Sequence, residues 1–450
     1  MKKLILIILF FPFLGLCQEP VDIIDSVVAS KFNNGPAVSV LISKDFKSFY
    51  SKIKGYSNIE LGVKANDSTK FRIGSNTKQF TAIAVLKLME EGKLNLTDTI
   101  QTFLPDFAVK DYPITIEHLL THTSGLAEIT ELDIFYSHLM KNGGEPDSLL
   151  KYFQDLPLDF PPGSRFSYSN SGYHVLGLII ERASGMSYND YIRTNLLSIA
   201  EMKNTLADNN SSIMLNRAHG YEELFTTLRN ADYIDMSIPF SGGNLLSTSE
   251  DLNKWYKTLF AYRIVSENTL TMAHSPFQLN DGTYSNYGYG WFVDSLQGER
   301  IISHEGGING FLSSVWYVPS SKTLTVLLSN CHCNPTVKTA ERLTAIAIGK
   351  PLTEKKRIKL SDTLLKSYSG IYLMDGEEWT ISINEKELYF QFPNGNGHPI
   401  YPVSENEFFA EEWDSEFKFY EFEGKTEFHF IYLGEVIKGE KSKTVHNSSN

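Results

Sequence analysis

The chain has 450 residues, of which 42% are apolar, 13% aromatic and 21% charged. That apolar content supports a sizeable core and excludes a wholly disordered chain. The net charge of −12, from 41 Lys+Arg against 53 Asp+Glu, comes without a basic run and argues against nucleic-acid binding.

In chain order, Lys2 and Lys3 precede an apolar run, residues 4–14, of signal-peptide length and short for a bilayer span. Gly15 and Cys17 give a small-x-small pattern before Gln18. Cleavage after Cys17 and export to the periplasm or medium are therefore expected. An outer-membrane lipoprotein anchored through Cys17 is the lesser alternative, because Leu16 stands where a small residue is usual. Removing residues 1–17 takes away two lysines and no acid, so the charge moves from −12 to −14. No later run resembles a transmembrane segment.

Residues 18–350 read as one α+β unit. Residues 36–43 and 46–59 form two expected strands joined at Lys44-Asp45. Residues 79–89 are apolar nearly all round, as in a buried helix, and Gly92 follows at a C′ position. Residues 95–270 are mostly helical in pattern, clearest over 172–183 and 251–260. Strands return at 300–303, 311–318 and 323–328, and residues 336–348 read as a closing helix. Strands at both ends imply one antiparallel sheet assembled from both termini, with helices flanking it and inserted in it. Three cysteines are too few for a disulfide scaffold. Cys331 and Cys333, two apart, are read as unpaired, and with His332 they make a weak ligand set, so no metal is expected.

Residues 351–361 are charged, contain Pro351 and read as a linker. Beyond them, 362–446 carries 17 aromatics in 85 residues. Short aromatic runs near 369–373, 379–383, 388–392, 408–413, 417–422 and 428–433 alternate with turns, as in a small all-β barrel or sandwich.

Three motifs carry chemistry. Ser75 and Lys78 lie three apart where a Gly74 turn enters the buried helix. On a helix they share one face, near unpaired N–H groups and the positive dipole end. A desolvated lysine can shed its proton near neutrality and accept that of the serine. The same spacing at Ser51/Lys54 and Ser415/Lys418 falls in strand-rich segments. The second motif is Tyr168-Ser169-Asn170, on a Pro/Gly-rich loop before a helix. There a phenol can relay protons and an amide can hold substrate and lysine together. The third is His304-Glu305-Gly306-Gly307, where glycines allow close backbone approach and Gly307 offers an N–H.

This ordered set resembles the penicillin-recognising serine hydrolases of the class C β-lactamase and D-alanyl-D-alanine carboxypeptidase (S12) type. His122-Thr123-Ser124-Gly125-Leu126, the Gly242–Leu252 segment and Tyr287-Gly288-Tyr289-Gly290-Trp291 extend the likeness over roughly residues 30–330. The resemblance implies a β-lactamase/transpeptidase-like catalytic unit with an accessory C-terminal domain, and no cofactor. It implies Ser75 as nucleophile, Lys78 as its base, Tyr168 as proton shuttle and Asn170 as orienter. His304 takes the place of the K-T-G lysine, Glu305 and Gly306 line the substrate, and the Ser75 and Gly307 N–H groups form the oxyanion hole. The implied partner is a small-molecule or peptide substrate of peptidoglycan-derived type. The chain lacks K-T-G, and Glu305 sits beside His304, so β-lactam turnover is less expected than peptidase, D-amino-acid amidase or esterase activity. A penicillin-binding sensor that keeps the pocket without turnover is the alternative.

Overall fold

The computed structural model describes residues 20–442, apart from 33, 225–226, 354–355, 375, 385, 394–396, 411–414, 423–424 and 433–434. The expected export signal and Cys17 lie outside the described residues. A six-stranded antiparallel sheet is built from both ends of the catalytic unit. Val38–Lys44 pairs on one side with the edge strand Lys47–Lys54 and on the other with Thr323–Ser329, so the first and last strands of the unit lie side by side. Phe311–Val318, Glu299–Ile308 and Phe292–Leu296 extend the sheet outward.

Strand Val38–Lys44 is buried on both faces except at its last residue, which explains why apolar residues are not confined to alternate positions over Val40-Leu41-Ile42. Val38, Val40 and Ile42 pack with helices Pro20–Lys31 and Thr336–Ala347, while Leu41 faces the larger helical core. The tight turn between the first two strands is centred on Asp45 and Phe46, both at positive φ, one residue later than the sequence pattern placed it.

Helix Thr77–Glu90 is buried around its circumference and forms the axis of the helical core. Gly92 adopts φ +69° just past its end, as the C′ role requires. Helix Asn170–Ser184 and the short helix Phe240–Gly243 pack against it. Among the described residues, no helix is long and apolar enough to cross a membrane.

The cysteine expectation is corrected. Cys331 and Cys333 form a disulfide. The chain turns immediately after strand Thr323–Ser329, and this brings their Cα atoms to 5.1 Å. That separation lies inside the range a disulfide spans.

Residues 370–441 close into an eight-stranded up-and-down barrel, in which Gly370–Met374 pairs with Glu435–Lys441 and leaves no open edge. Phe390, Phe417, Phe428 and Phe430 stack in its interior. Two strands, Gly397–Pro402 and Glu435–Lys441, escaped the aromatic pattern. One carries Gly and Pro and the other is largely charged, so barrel closure rather than propensity holds them.

Candidate active site

Ser75 sits in a single 3₁₀ turn, Gly74–Asn76, that runs directly into helix Thr77–Glu90. Gly74 adopts φ +50°, and a Cβ there would stand 3.0 Å from the Gly307 backbone N and O. A Cβ on Gly306 would lie 2.0 Å from the Ile73 carbonyl and 2.4 Å from Ser313 Oγ. These two glycines let strand Glu299–Ile308 press against the turn that carries Ser75. Ser313 Oγ donates to the Ile73 carbonyl (2.8 Å) and accepts from Asn76 Nδ2 (2.8 Å), which bolts turn to sheet. We predict that Gly306→Ala pushes the two apart, lowers the melting temperature and slows acylation. Overpacking of this kind costs about 1–3 kcal/mol, and a thermal melt with a burst assay reads both effects.

Lys78 is fully buried, one turn from Ser75. Its Nζ donates to Ser75 Oγ at 3.1 Å, Asn170 Oδ1 at 2.9 Å and the Gly242 carbonyl at 3.0 Å. Burial brings the amine down to about 7, with the Glu128 carboxylate pulling the other way. The Tyr168 and Tyr173 rings flank Nζ at 4.7 and 5.4 Å.

Tyr168 hydrogen-bonds Ser75, and burial holds its phenol far above the ordinary tyrosine range. Asn170 opens helix Asn170–Ser184, whose N-cap Ser169 accepts from the Gly172 N–H. The Ser169 N–H donates to His122 Nδ1 at 2.9 Å. His122 is buried and neutral, and stacks on Tyr168 with ring centroids 4.2 Å apart.

Ser75, Lys78, Tyr168, Asn170 and Gly307 therefore converge as the motifs suggested. His304 departs from the charge-bearing place given to it. It is 1% exposed, with both ring nitrogens engaged. Nδ1 faces the Glu305 carbonyl (2.6 Å), which can only accept, so Nδ1 carries the proton. Nε2 then accepts from the Tyr287 hydroxyl (2.9 Å). Burial, with Lys78 nearby, takes this imidazole down to about 3, so it is neutral and cannot hold a carboxylate by charge. Glu305 alternates to the opposite face of the strand and is half-buried, and burial raises its carboxyl to about 7. The stray copies of the serine–lysine spacing lie in strands Lys47–Lys54 and Ser415–Phe422, where residues three apart face opposite ways.

The motifs missed three contributors. Gly242 supplies a backbone carbonyl, which no side-chain pattern announces. Tyr287 supports His304 from 17 residues away. Glu128 grips Asn170 from 42 residues away: its Oε1 accepts from Asn170 Nδ2 at 3.0 Å.

A half-exposed serine, a buried amine aimed at it, a hydrogen-bonded phenol and an apposed strand N–H, all on a mixed α/β fold, define the class: a penicillin-recognising serine hydrolase. The chain belongs to the Beta-lactamase family, whose profile matches residues 25–349. It is 30% identical over 356 residues to Protein flp of Staphylococcus aureus (strain MW2), covering 77% of this chain and 69% of that protein. Penicillin-binding protein 4* of Bacillus subtilis (strain 168) is 29% identical over 412 residues, covering 85% and 89%. Among solved structures, the octameric penicillin-binding protein homologue from Pyrococcus abyssi superposes with TM-score 0.66 at 25% identity, covering 93% of this chain and 99% of that one.

Proposed function

We propose that this chain is an exported serine acyl hydrolase that works through a covalent acyl-enzyme on Ser75. In this reading amides and esters without a carboxylate beside the scissile bond are turned over in preference to β-lactams. The observation that carries the mechanism is the company Lys78 keeps. Of its three partners, Asn170 Oδ1 and the Gly242 carbonyl can only accept. When Lys78 loses a proton near pH 7, its two remaining N–H bonds stay on those acceptors. The lone pair then points at the Ser75 hydroxyl.

Lys78 is thus the resting base, and Tyr168, protonated, is the relay. Lys78 takes the Ser75 proton as Oγ attacks the carbonyl carbon. Tyr168 passes a proton to the leaving group as the tetrahedral intermediate collapses, and the same pair activates water for deacylation. The Ser75 and Gly307 N–H groups are the oxyanion donors. Export rests on the pattern of residues 1–17.

The substrate preference rests on charge. Arg72, three residues before Ser75, is committed to buried Asp208 at 2.7 Å, and Arg217 binds the same carboxylate at 2.8 Å. His304 is neutral. The face of the strand that meets the Ser75 turn therefore carries a neutral ring where a carboxylate-ended substrate needs a cation, and Glu305, on the other face, supplies none. A panel of a short-chain nitrophenyl ester, a D-amino-acid amide, a D-Ala-D-Ala peptide and nitrocefin tests the reading. The ester and the amide should exceed nitrocefin in kcat/KM by roughly tenfold or more. Faster nitrocefin turnover would overturn the preference, and an unmodified Ser75 with every substrate would overturn the acyl-enzyme itself.

A further inference from the structure

We propose that Glu128 is a positioning residue of this site, acting through Asn170 to decide which atom of the Asn170 amide meets Lys78. This rests on the acyl-enzyme reading above. Glu128 lies in the loop after His122–Leu126, and Oε2 accepts the backbone N–H groups of Asn170 at 2.6 Å and Ser171 at 3.2 Å. Oε1 accepts Asn170 Nδ2 at 3.0 Å and the Thr130 hydroxyl at 2.7 Å.

The two ends of an asparagine amide are nearly identical in shape, so packing cannot choose between them and hydrogen bonding must. An ionised carboxylate only accepts. It therefore holds the NH₂ end of Asn170 and leaves Oδ1 facing Lys78 at 2.9 Å. The reversed amide would set N–H against the Lys78 N–H groups and leave the lone pair free to turn away from Ser75. One carboxylate thereby fixes the first turn of helix Asn170–Ser184 and the direction of the base. It also supplies negative charge to Lys78. The other titratable groups around Lys78, namely Tyr168, Tyr173, His122 and His304, are held neutral by burial, and Glu305 points to the far face of its strand.

Glu128→Gln tests this with shape preserved, because the glutamine NH₂ can donate to Asn170 Oδ1 and allow the reversed amide. In the full chain the pre-steady-state acylation rate on a nitrophenyl ester should fall roughly 10- to 100-fold, the worth of a charged hydrogen bond. Its acid limb should move to lower pH, since removing the carboxylate charge lets Lys78 shed its proton more readily. In an Asn170→Ala background the same change should cost less than about twofold, as expected for residues acting as one unit. A thermal melt controls for folding. Should Glu128→Gln fail to fold, Thr130→Val, which removes one donor from Oε1 and leaves the site intact, decides the matter with an expected loss of about two- to fivefold.

A rate within twofold of the parent with an unmoved acid limb overturns the proposal. So do losses that multiply between the two backgrounds. A parent enzyme that forms no Ser75 adduct refutes the acyl-enzyme reading instead, and this is seen before any Glu128 variant is compared.

Discussion

Ser75→Ala should abolish the covalent adduct that the parent forms with a fluorescent penicillin or a phosphonate, with the fold left intact. Intact-mass spectrometry reads the adduct as a single mass shift, and peptide mapping places it on the turn of residues 74–76. Turnover of a nitrophenyl ester should drop by at least about 10³-fold, the loss typical when a nucleophile is removed and only binding and oxyanion contacts remain. The fold should survive because the half-exposed hydroxyl contributes one of the three acceptors around Lys78. Asn170 Oδ1 and the Gly242 carbonyl still hold the amine. A persistent adduct in the variant would move the nucleophile elsewhere.

Lys78→Met should remove acylation just as completely while changing stability with a defined pH dependence. Burial lowers the folded-state lysine to about 7 from an ordinary value near 10.5. Below pH 7 both folded and unfolded chains carry the proton, and the burial penalty is present in full. Between pH 7 and 10.5 the folded chain binds fewer protons than the unfolded one, so parent stability rises with pH relative to the variant. The slope approaches about 1.4 kcal/mol per pH unit. Above 10.5 the penalty is gone. Denaturant titrations of both proteins at pH 7 and pH 10 should therefore show the methionine variant faring better, relative to the parent, at pH 7. An equal difference at both values would mean that Lys78 is charged in the folded protein throughout, and the base would have to be reassigned. The parent's acylation rate should also rise through an acid limb near pH 7, where the amine becomes free.

The two motifs of the candidate site, Ser75/Lys78 and Tyr168/Asn170, were legible because each is local. Ser75 and Lys78 are joined by helical periodicity, and Tyr168 and Asn170 by adjacency, so spacing alone placed them. The helix behind Ser75 announced itself by apolar residues on every side. His304 was legible as a position but not as a chemical state. Its neutrality follows from Tyr287 and the Glu305 carbonyl closing both nitrogens, a matter of three-dimensional enclosure. Cys331 and Cys333 were misjudged because an extended chain separates residues two apart too widely, whereas a turn after the last sheet strand brings them together. In the barrel, aromatic runs marked six strands. The remaining two, over residues 397–402 and 435–441, are held by their neighbours' hydrogen bonds.

The acidic 450-residue composition, the division into a mixed α/β unit and an aromatic-rich tail, and the placement of Ser75 and Lys78 on one turn follow from the sequence itself, since patterning and spacing are local properties. Tertiary structure decided the protonation chemistry. The depressed lysine, the raised phenol and the neutral histidine are consequences of burial. The Gly242 carbonyl and the Glu128 clamp reach the site from 164 residues beyond Lys78 and 42 residues before Asn170. Desolvation and long-range hydrogen bonds depend on what surrounds an atom in space, and a linear pattern does not carry that information.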